Sequence, residues 1–389
     1  MIKIEEAYDI VINSDCTVET EHVSLINSLH RILAEDVLSD IEMPPFDKAA
    51  VDGYACKIED VSNPMEVIES VQAGQMPTKT VEKGQCTQIM TGAPVPKGCD
   101  AIVMVEHTEI KDNKVIVLNK NRKTNISYKA EDVKEGQLVL KKGIQIKPQH
   151  IAIFAAVGYT NVLVNKQPQI AVISTGDELV EPEHKPGLSK IRNSNGHQIV
   201  AQVLAMGAKA NYYGIAKDTE EDTFRIVSKA LSENNMIILS GGVSMGEFDF
   251  VQSVLQRAGI TILFDKIAVK PGKPTTFGTA KDKFCFGLPG NPVSSFIQFE
   301  LLTKPLIYKM MGCKYHPEEI RLPMKEDYYR KTTVRKSYIP VVISKGEVTP
   351  IEYHGSGHIH ALNKANGIIS VPIGVNKINK GEIIDVRQI

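Results

Sequence analysis

A chain of 389 residues with Lys+Arg 45 against Asp+Glu 46 and a formal net charge of -1 exceeds what one hydrophobic core organises, so several domains are expected. The balanced charge and the lack of a long basic stretch exclude a nucleic-acid footprint, and no apolar run approaches the ~20 residues of a membrane helix. Cys16, Cys56, Cys86, Cys99, Cys285 and Cys313 form no CxxC pair, and no signal peptide is evident, so reduced thiols and a cytoplasmic location are expected.

Residues 1–40 read as mostly helical, up to a break at Met43-Pro44-Pro45. From about Val67 to Leu140, short Val/Ile runs alternate with turns at Gly74, Gly84, Gly92, Gly98 and Asp112-Asn113, which is a β-rich pattern. Ile151 to Val157 is a short buried helix following Pro148 and closed by Gly158. After Pro168 strands and helices alternate: strand 170–173, helix Ser194 to Met206 closed by Gly207, strand 211–215, helix 219–233, strand 236–239 and helix 249–258 closed by Gly259. That alternation predicts a doubly wound α/β domain, and an apolar helix from Val293 to Leu302 follows it. Past Pro317, the runs Tyr338 to Ile343, Gly367 to Val371 and Glu382 to Val386 predict a small β-barrel or sandwich.

The most telling segments are three glycine-rich turns placed after apolar runs. They are Ser174-Thr175-Gly176-Asp177-Glu178, Ser240-Gly241-Gly242-Val243-Ser244-Met245-Gly246 and Leu288-Pro289-Gly290-Asn291-Pro292-Val293-Ser294-Ser295. In an open α/β sheet such turns gather at the carboxyl edge, where bare N–H groups and helix N-termini hold anions. A phosphorylated ligand is therefore expected. Neither a dinucleotide fingerprint nor the Lys-Ser/Thr ending of a P-loop is present, and Ser244, Ser294 and Ser295 lack a nucleophile elbow.

Asp52, Asp132, Glu178, Asp218 and Asp249 all fall in turns or at element starts. Singly each reads as an ordinary cap; together, beside phosphate-binding turns, they imply a bridging Mg²⁺, because carboxylates alone would repel the ligand. In Lys266-Ile267-Ala268-Val269-Lys270-Pro271-Gly272-Lys273, the period of two places Lys266, Ala268 and Lys270 on one face of an expected strand, with Lys273 presented at the same edge. Three cations there suit a tetrahedral oxyanion or phosphate. His358 and His360 would share a strand face, but no partner ligand is spaced to make a metal site.

Taken in order, Met43-Pro44-Pro45-Phe46-Asp47, Asp52-Gly53-Tyr54-Ala55, Thr91-Gly92-Ala93-Pro94, Glu131-Asp132, Ser174 to Leu179, Ser194-Asn195, Ser240 to Ser244, Lys270 to Pro274, Gly287 to Val293 and Gly355-Ser356-Gly357 resemble the molybdopterin molybdenumtransferase family, which includes the C-terminal domain of gephyrin. The resemblance spans nearly the whole chain. It implies insertion of molybdate into adenylylated molybdopterin with hydrolysis of the phosphoanhydride and release of AMP, dependent on Mg²⁺.

On that resemblance, Glu178, Asp218 and Asp249 hold the metal and the phosphate end of the pterin. The turns carrying Ser174, Thr175, Gly176, Ser240, Gly241, Gly242, Ser244, Pro289 and Asn291 bind substrate, and Lys266, Lys270 and Lys273 attract molybdate and the adenylate phosphates. Asp52, Thr91 and Asp132 approach from another domain, across the interface of a homodimer. The implied architecture is an α/β multidomain chain. It has a discontinuous N-terminal domain (1–45 and 130–167), a β-rich inserted domain (46–129), a doubly wound pterin-binding domain (168–312) and a C-terminal β-barrel (318–389). The substrate would be handed over by a molybdopterin adenylyltransferase, and no nucleic acid or membrane takes part. Two alternatives are an adenylyltransferase, which would leave about 240 residues without a role, and a non-catalytic pterin-binding scaffold. The chain departs from the family pattern at Ala49, Val51, Ser127, Ala130 and Asn193.

Overall fold

A computed structural model describes residues 1–119, 123–242, 251–351 and 357–389. Only Ile4–Asn13 of the first 40 residues is α-helical, contrary to the expectation for that segment. Ile4, Ala7 and Val11, spaced as one helical face, pack into the core of the distant α/β region. The residues that follow are extended or 3₁₀: Thr20–Ser24 pairs antiparallel with Asn161–Asn165, and Val37–Leu38 with Leu138–Leu140. Each of those strands needs a partner more than 90 residues away, so tertiary pairing overrides local propensity. Leu33, Val37, Leu140, Phe154, Val162 and Val164 bury one small core from both stretches, beside the helix Pro148–Ala156.

Between them lies a six-stranded mixed sheet ordered Ala101–Met104, Gly53–Cys56, Gln85–Ile89, Met65–Val71, Lys114–Val117 and Thr108–Lys111. Asp112 and Asn113, both at positive φ, make the tight turn of its edge hairpin.

The α/β region is built on a second six-stranded sheet, ordered Lys209–Ala216, Gln169–Thr175, Met236–Ser240, Lys283–Leu288, Thr276–Ala280 and Thr261–Phe264. The first four strands in that order run parallel. Buried apolar runs such as Ile170-Ala171-Val172-Ile173 and Met236-Ile237-Ile238-Leu239 are what two covered faces demand. Helices Ser194–Ala205 and Glu220–Glu233 form where the periodicity places them. Asn193 and Thr219 cap them by accepting from the amides of Gly196 and Asp222. The chain moves to one side of Gln169–Thr175 for Lys209–Ala216 and to the other for Met236–Ser240, so the topological switch point lies between the strands ending at Thr175 and Ser240.

The C-terminal region is a small barrel. Glu347–Pro350, Lys336–Ser344, Gly367–Val371, Ile383–Gln388 and Glu319–Pro323 pair in sequence, and a bridge between Met324 and Val348 closes the ring. Val269–Lys270 joins its rim by pairing with Lys336 and Ser337, which stitches barrel to α/β region. Two local expectations fail. Lys266 to Lys270 is not a regular strand: only Val269–Lys270 qualifies, because Ile267 bridges Ile2 instead and Pro271 ends the run. His358 and His360 lie at and in the 3₁₀ helix Ile359–Lys364, not on a strand face. Among the described residues no helix is long and apolar enough to cross a membrane.

Candidate functional site

The three glycine turns meet at the carboxyl edge of three adjacent strands. Ser174 is in register with Ser240, and Ser240 with Leu288. Glycine is required where the turns interlock. A Cβ on Gly241, at φ +94°, would stand 2.4 Å from the Thr175 carbonyl oxygen, and one on Gly242 would stand 2.8 Å from Thr175 Oγ1. Asn195, in the first turn of the helix from Ser194, ties the cluster together: its Nδ2 donates to Ser240 Oγ at 2.9 Å and to the Gly290 carbonyl at 2.8 Å. Ser174 Oγ donates to Asn193 Oδ1. Among the described residues Thr175 Oγ1 and Asn195 Oδ1 are buried at this junction with no hydrogen-bond partner, and buried polar atoms of this kind call for a partner from water, an ion or a ligand.

Acidic residues line one side. Asp177, Glu178 and Asp218 gather there, the Asp218 amide donating to Asp177 Oδ1 at 3.1 Å. Partial burial, then the charges of Asp177 and Glu178, hold the Asp218 carboxyl above its ordinary value. Glu178 folds back over its own turn, where a Cβ on Gly176 would come within 2.5 Å of Oε2. Asp177, inside the quoted motif, was given no role by the sequence; Asp249 and Ser244 lie outside the described residues.

Cations line the other side. A cleft of about 780 Å³ opens between the α/β region and the barrel, and Pro289 and Asn291 of the third turn form part of its wall. Lys270, Lys273, Arg330 and Arg335 line it together with Glu326 and Asp327. Hydrogen bonds from the Lys380 amide, Lys377 and Tyr329 hold Asp327 down at about 2, so it is anionic and already neutralised by Lys377. Arg330 is committed to the barrel through Val375, Arg335, Ser337 and Pro372. Arg335 spends one nitrogen on the Val269 carbonyl at 3.0 Å. Lys270 and Lys273 are exposed and carry no ion pair among the described residues. Lys266 does not join them; it pairs with Asp265 at 3.5 Å. Arg335 carries no local motif in the sequence, because the barrel brings it to the cleft from 62 residues beyond Lys273.

The third expected group sits on the inserted sheet. Asp52 Oδ1 accepts from the amide and hydroxyl of Thr91 at 2.6 and 2.7 Å, which holds the carboxyl below its ordinary value. Asp132 is exposed, its amide donating to the Met43 carbonyl. Among the described residues, no hydrogen bond or ion pair within the chain joins Asp52, Thr91 or Asp132 to the acidic crevice.

Three family models match consecutive parts of the chain: the MoeA N-terminal region (domain I and II) over residues 2–158, a probable molybdopterin binding domain over 171–309, and the MoeA C-terminal region (domain IV) over 323–389. A molybdopterin molybdenumtransferase of Staphylococcus epidermidis is 37% identical over 99% of this chain and 95% of its own length. This chain belongs to the molybdopterin molybdenumtransferase family. A second such transferase, from Staphylococcus aureus, is 34% identical over 99% of this chain and 95% of its own. Among solved structures, two molybdopterin biosynthesis MoeA proteins of Pyrococcus horikoshii superpose with TM-scores of 0.83 and 0.86, at 31% and 28% identity. They cover this chain fully, and 99% and 100% of their own chains. The multidomain α/β architecture is therefore that of the molybdenumtransferase family, and the interlocked turns fall within the match to the molybdopterin binding domain.

Proposed function

We propose that this chain is a molybdopterin molybdenumtransferase that inserts molybdate into the dithiolene of adenylylated molybdopterin and releases AMP. The observation that carries the reading is the continuity of the site. Carboxylates at Glu178 and Asp218 and cations at Lys270 and Lys273 flank the same set of interlocked turns, through Asn195 to Gly290 and on to Asn291. A phosphoanhydride fits the turns, and a tetrahedral oxyanion fits the cationic cleft.

In this reading Ser174, Thr175, Gly176, Ser240, Gly241, Gly242, Pro289 and Asn291 hold the phosphate and pterin ends with amides and hydroxyls. Lys270 and Lys273 bring molybdate to the dithiolene, and Arg335 stiffens their turn from the barrel side. Lys266 contributes only to the long-range positive field. Water is the nucleophile on phosphorus, so no covalent intermediate is required.

Asp177, Glu178 and Asp218 supply hard carboxylate oxygens of the kind Mg²⁺ takes, one or two of which would hold it beside the phosphates, and a cation there would relieve the repulsion that Asp177 and Glu178 exert on Asp218. Among the described residues no three acids are placed to hold a metal ion by themselves, so phosphate oxygens and water would supply the remaining ligands of Mg²⁺. When bound it would neutralise the anhydride and make AMP a better leaving group; Asp249 is the further ligand we assign. Asp52, Thr91 and Asp132 complete the crevice of the partner subunit in a cytoplasmic homodimer, with adenylylated pterin received from an adenylyltransferase. The domain limits we assign are 1–45 with 130–167, 46–129, 168–312 and 318–389.

A nucleotide balance tests the reading. Purified protein given adenylylated molybdopterin and molybdate should release AMP without consuming ATP; consumption of ATP with free molybdopterin would identify an adenylyltransferase instead.

A further inference from the structure

We propose that Gln298 is a positioning residue for oxyanion capture, acting through the turn that carries Lys270 and Lys273. The inference rests on the assignment of molybdate to that turn. Gln298 closes the helix Pro292–Gln298, is fully buried, and donates Nε2 to the Pro271 carbonyl at 2.9 Å. A buried amide donor aimed at a backbone carbonyl fixes that carbonyl's direction. From the other side the hydroxyl of Thr275, also fully buried, donates to the Gly272 carbonyl at 2.8 Å. Two consecutive peptide carbonyls between the lysines are thereby held from within the protein.

The fit is close. Gly272 sits at φ +100°, and a Cβ there would lie 2.4 Å from Gln298 Nε2 and 2.6 Å from its Cγ, so the turn is moulded over the glutamine side chain. Immediately after Gln298 the helix widens into a π-helical segment, Phe299–Thr303. Such segments are uncommon and recur at functional sites. Among the described residues Gln298 Oε1 has no hydrogen-bond partner, so the Pro271 carbonyl is the one polar contact of this side chain and the amide is committed to holding it. Two exposed ammonium groups on a short turn would otherwise diverge by mutual repulsion. Held by Gln298, they face the same cleft.

The test measures molybdate binding to the intact protein by equilibrium dialysis, alongside KM for molybdate and for adenylylated molybdopterin. Gln298→Met keeps the volume and removes the donor; Gln298→Glu keeps the shape and places an acceptor against the carbonyl. Both should weaken molybdate binding roughly five- to tenfold, the scale of one lost buried hydrogen bond, with KM for the pterin changed less than about twofold. In a Lys270→Ala/Lys273→Ala background, Gln298→Met should have no further effect on molybdate, since the residue acts through those lysines. Equal losses for molybdate and pterin in both folded variants, or an undiminished Gln298→Met effect without the lysines, would overturn the proposal. If Lys270→Ala/Lys273→Ala alone leaves molybdate binding intact, the site assignment itself fails and the role of Gln298 with it. Gln298→Glu keeps the test decisive should Gln298→Met not fold.

Discussion

Asn195 Nδ2 stands 2.8 Å from the carbonyl oxygen of Gly290, joining a helix N-terminus to the third glycine turn. The same amide donates to Ser240 of the second turn, so one side chain sets the spacing of two anion-binding loops. Asn195→Ala removes both bonds at a buried position and should lower kcat/KM by about 10- to 100-fold, with a loss of stability of about 2 kcal/mol. Steady-state kinetics with a thermal melt of the same sample check it. Asn195→Asp, which loses the donor but keeps the size, should be as damaging.

Asp218 gives a prediction of opposite sign for stability and activity. Burial, with Asp177 and Glu178 nearby, raises its carboxyl above the ordinary value. A carboxyl that holds its proton more tightly folded than unfolded favours the fold in acid, and that contribution is lost as the pH rises through the folded-state value. At neutral pH the ionised group therefore works against the fold. Asp218→Asn should melt roughly 1–2 °C higher at pH 7 without Mg²⁺, and the difference should vanish below about pH 4. Added Mg²⁺ should narrow the gap by stabilising the wild type more, while turnover of the variant falls.

The sheet was legible where local sequence decides it. Buried runs such as Ile170 to Ile173 and Met236 to Leu239, and helices such as Ser194–Ala205, carry their own period and caps. The segment after Asn13 was not, since Thr20–Ser24 becomes a strand only against Asn161–Asn165. The site shows the same division. The glycine turns announced themselves, whereas Arg335 reaches the cleft from the barrel, Lys266 leaves the cationic group for Asp265, and Gln298 looks like any polar residue in an apolar helix.

Ala130 adopts φ +61°, a left-handed conformation that suits glycine better than alanine. Its amide donates to the Pro44 carbonyl at 3.0 Å, a bond that relaxing the backbone would disturb. A Cβ in the left-handed region costs about 1–2 kcal/mol, partly offset by the greater freedom of glycine when unfolded. Ala130→Gly should stabilise the protein by about 0.5–1 kcal/mol, read as a higher denaturation midpoint at unchanged slope.

A site shared between subunits predicts complementation. Asp52→Ala and Glu178→Gln should each be inactive alone. Mixed and reassorted in equal amounts, they should recover about a quarter of wild-type activity, because half the dimers are hybrids and each hybrid holds one intact site. No recovery by verified hybrids would place Asp52 and Glu178 in the same subunit's site.

The most direct measurement is AMP release from adenylylated molybdopterin with Mg²⁺, with and without molybdate, for wild type and Glu178→Gln. The account predicts molybdate-stimulated release by the wild type and its loss, by at least about 100-fold, in the variant. Release by well-folded Glu178→Gln at the wild-type rate, or none by the wild type, would contradict it.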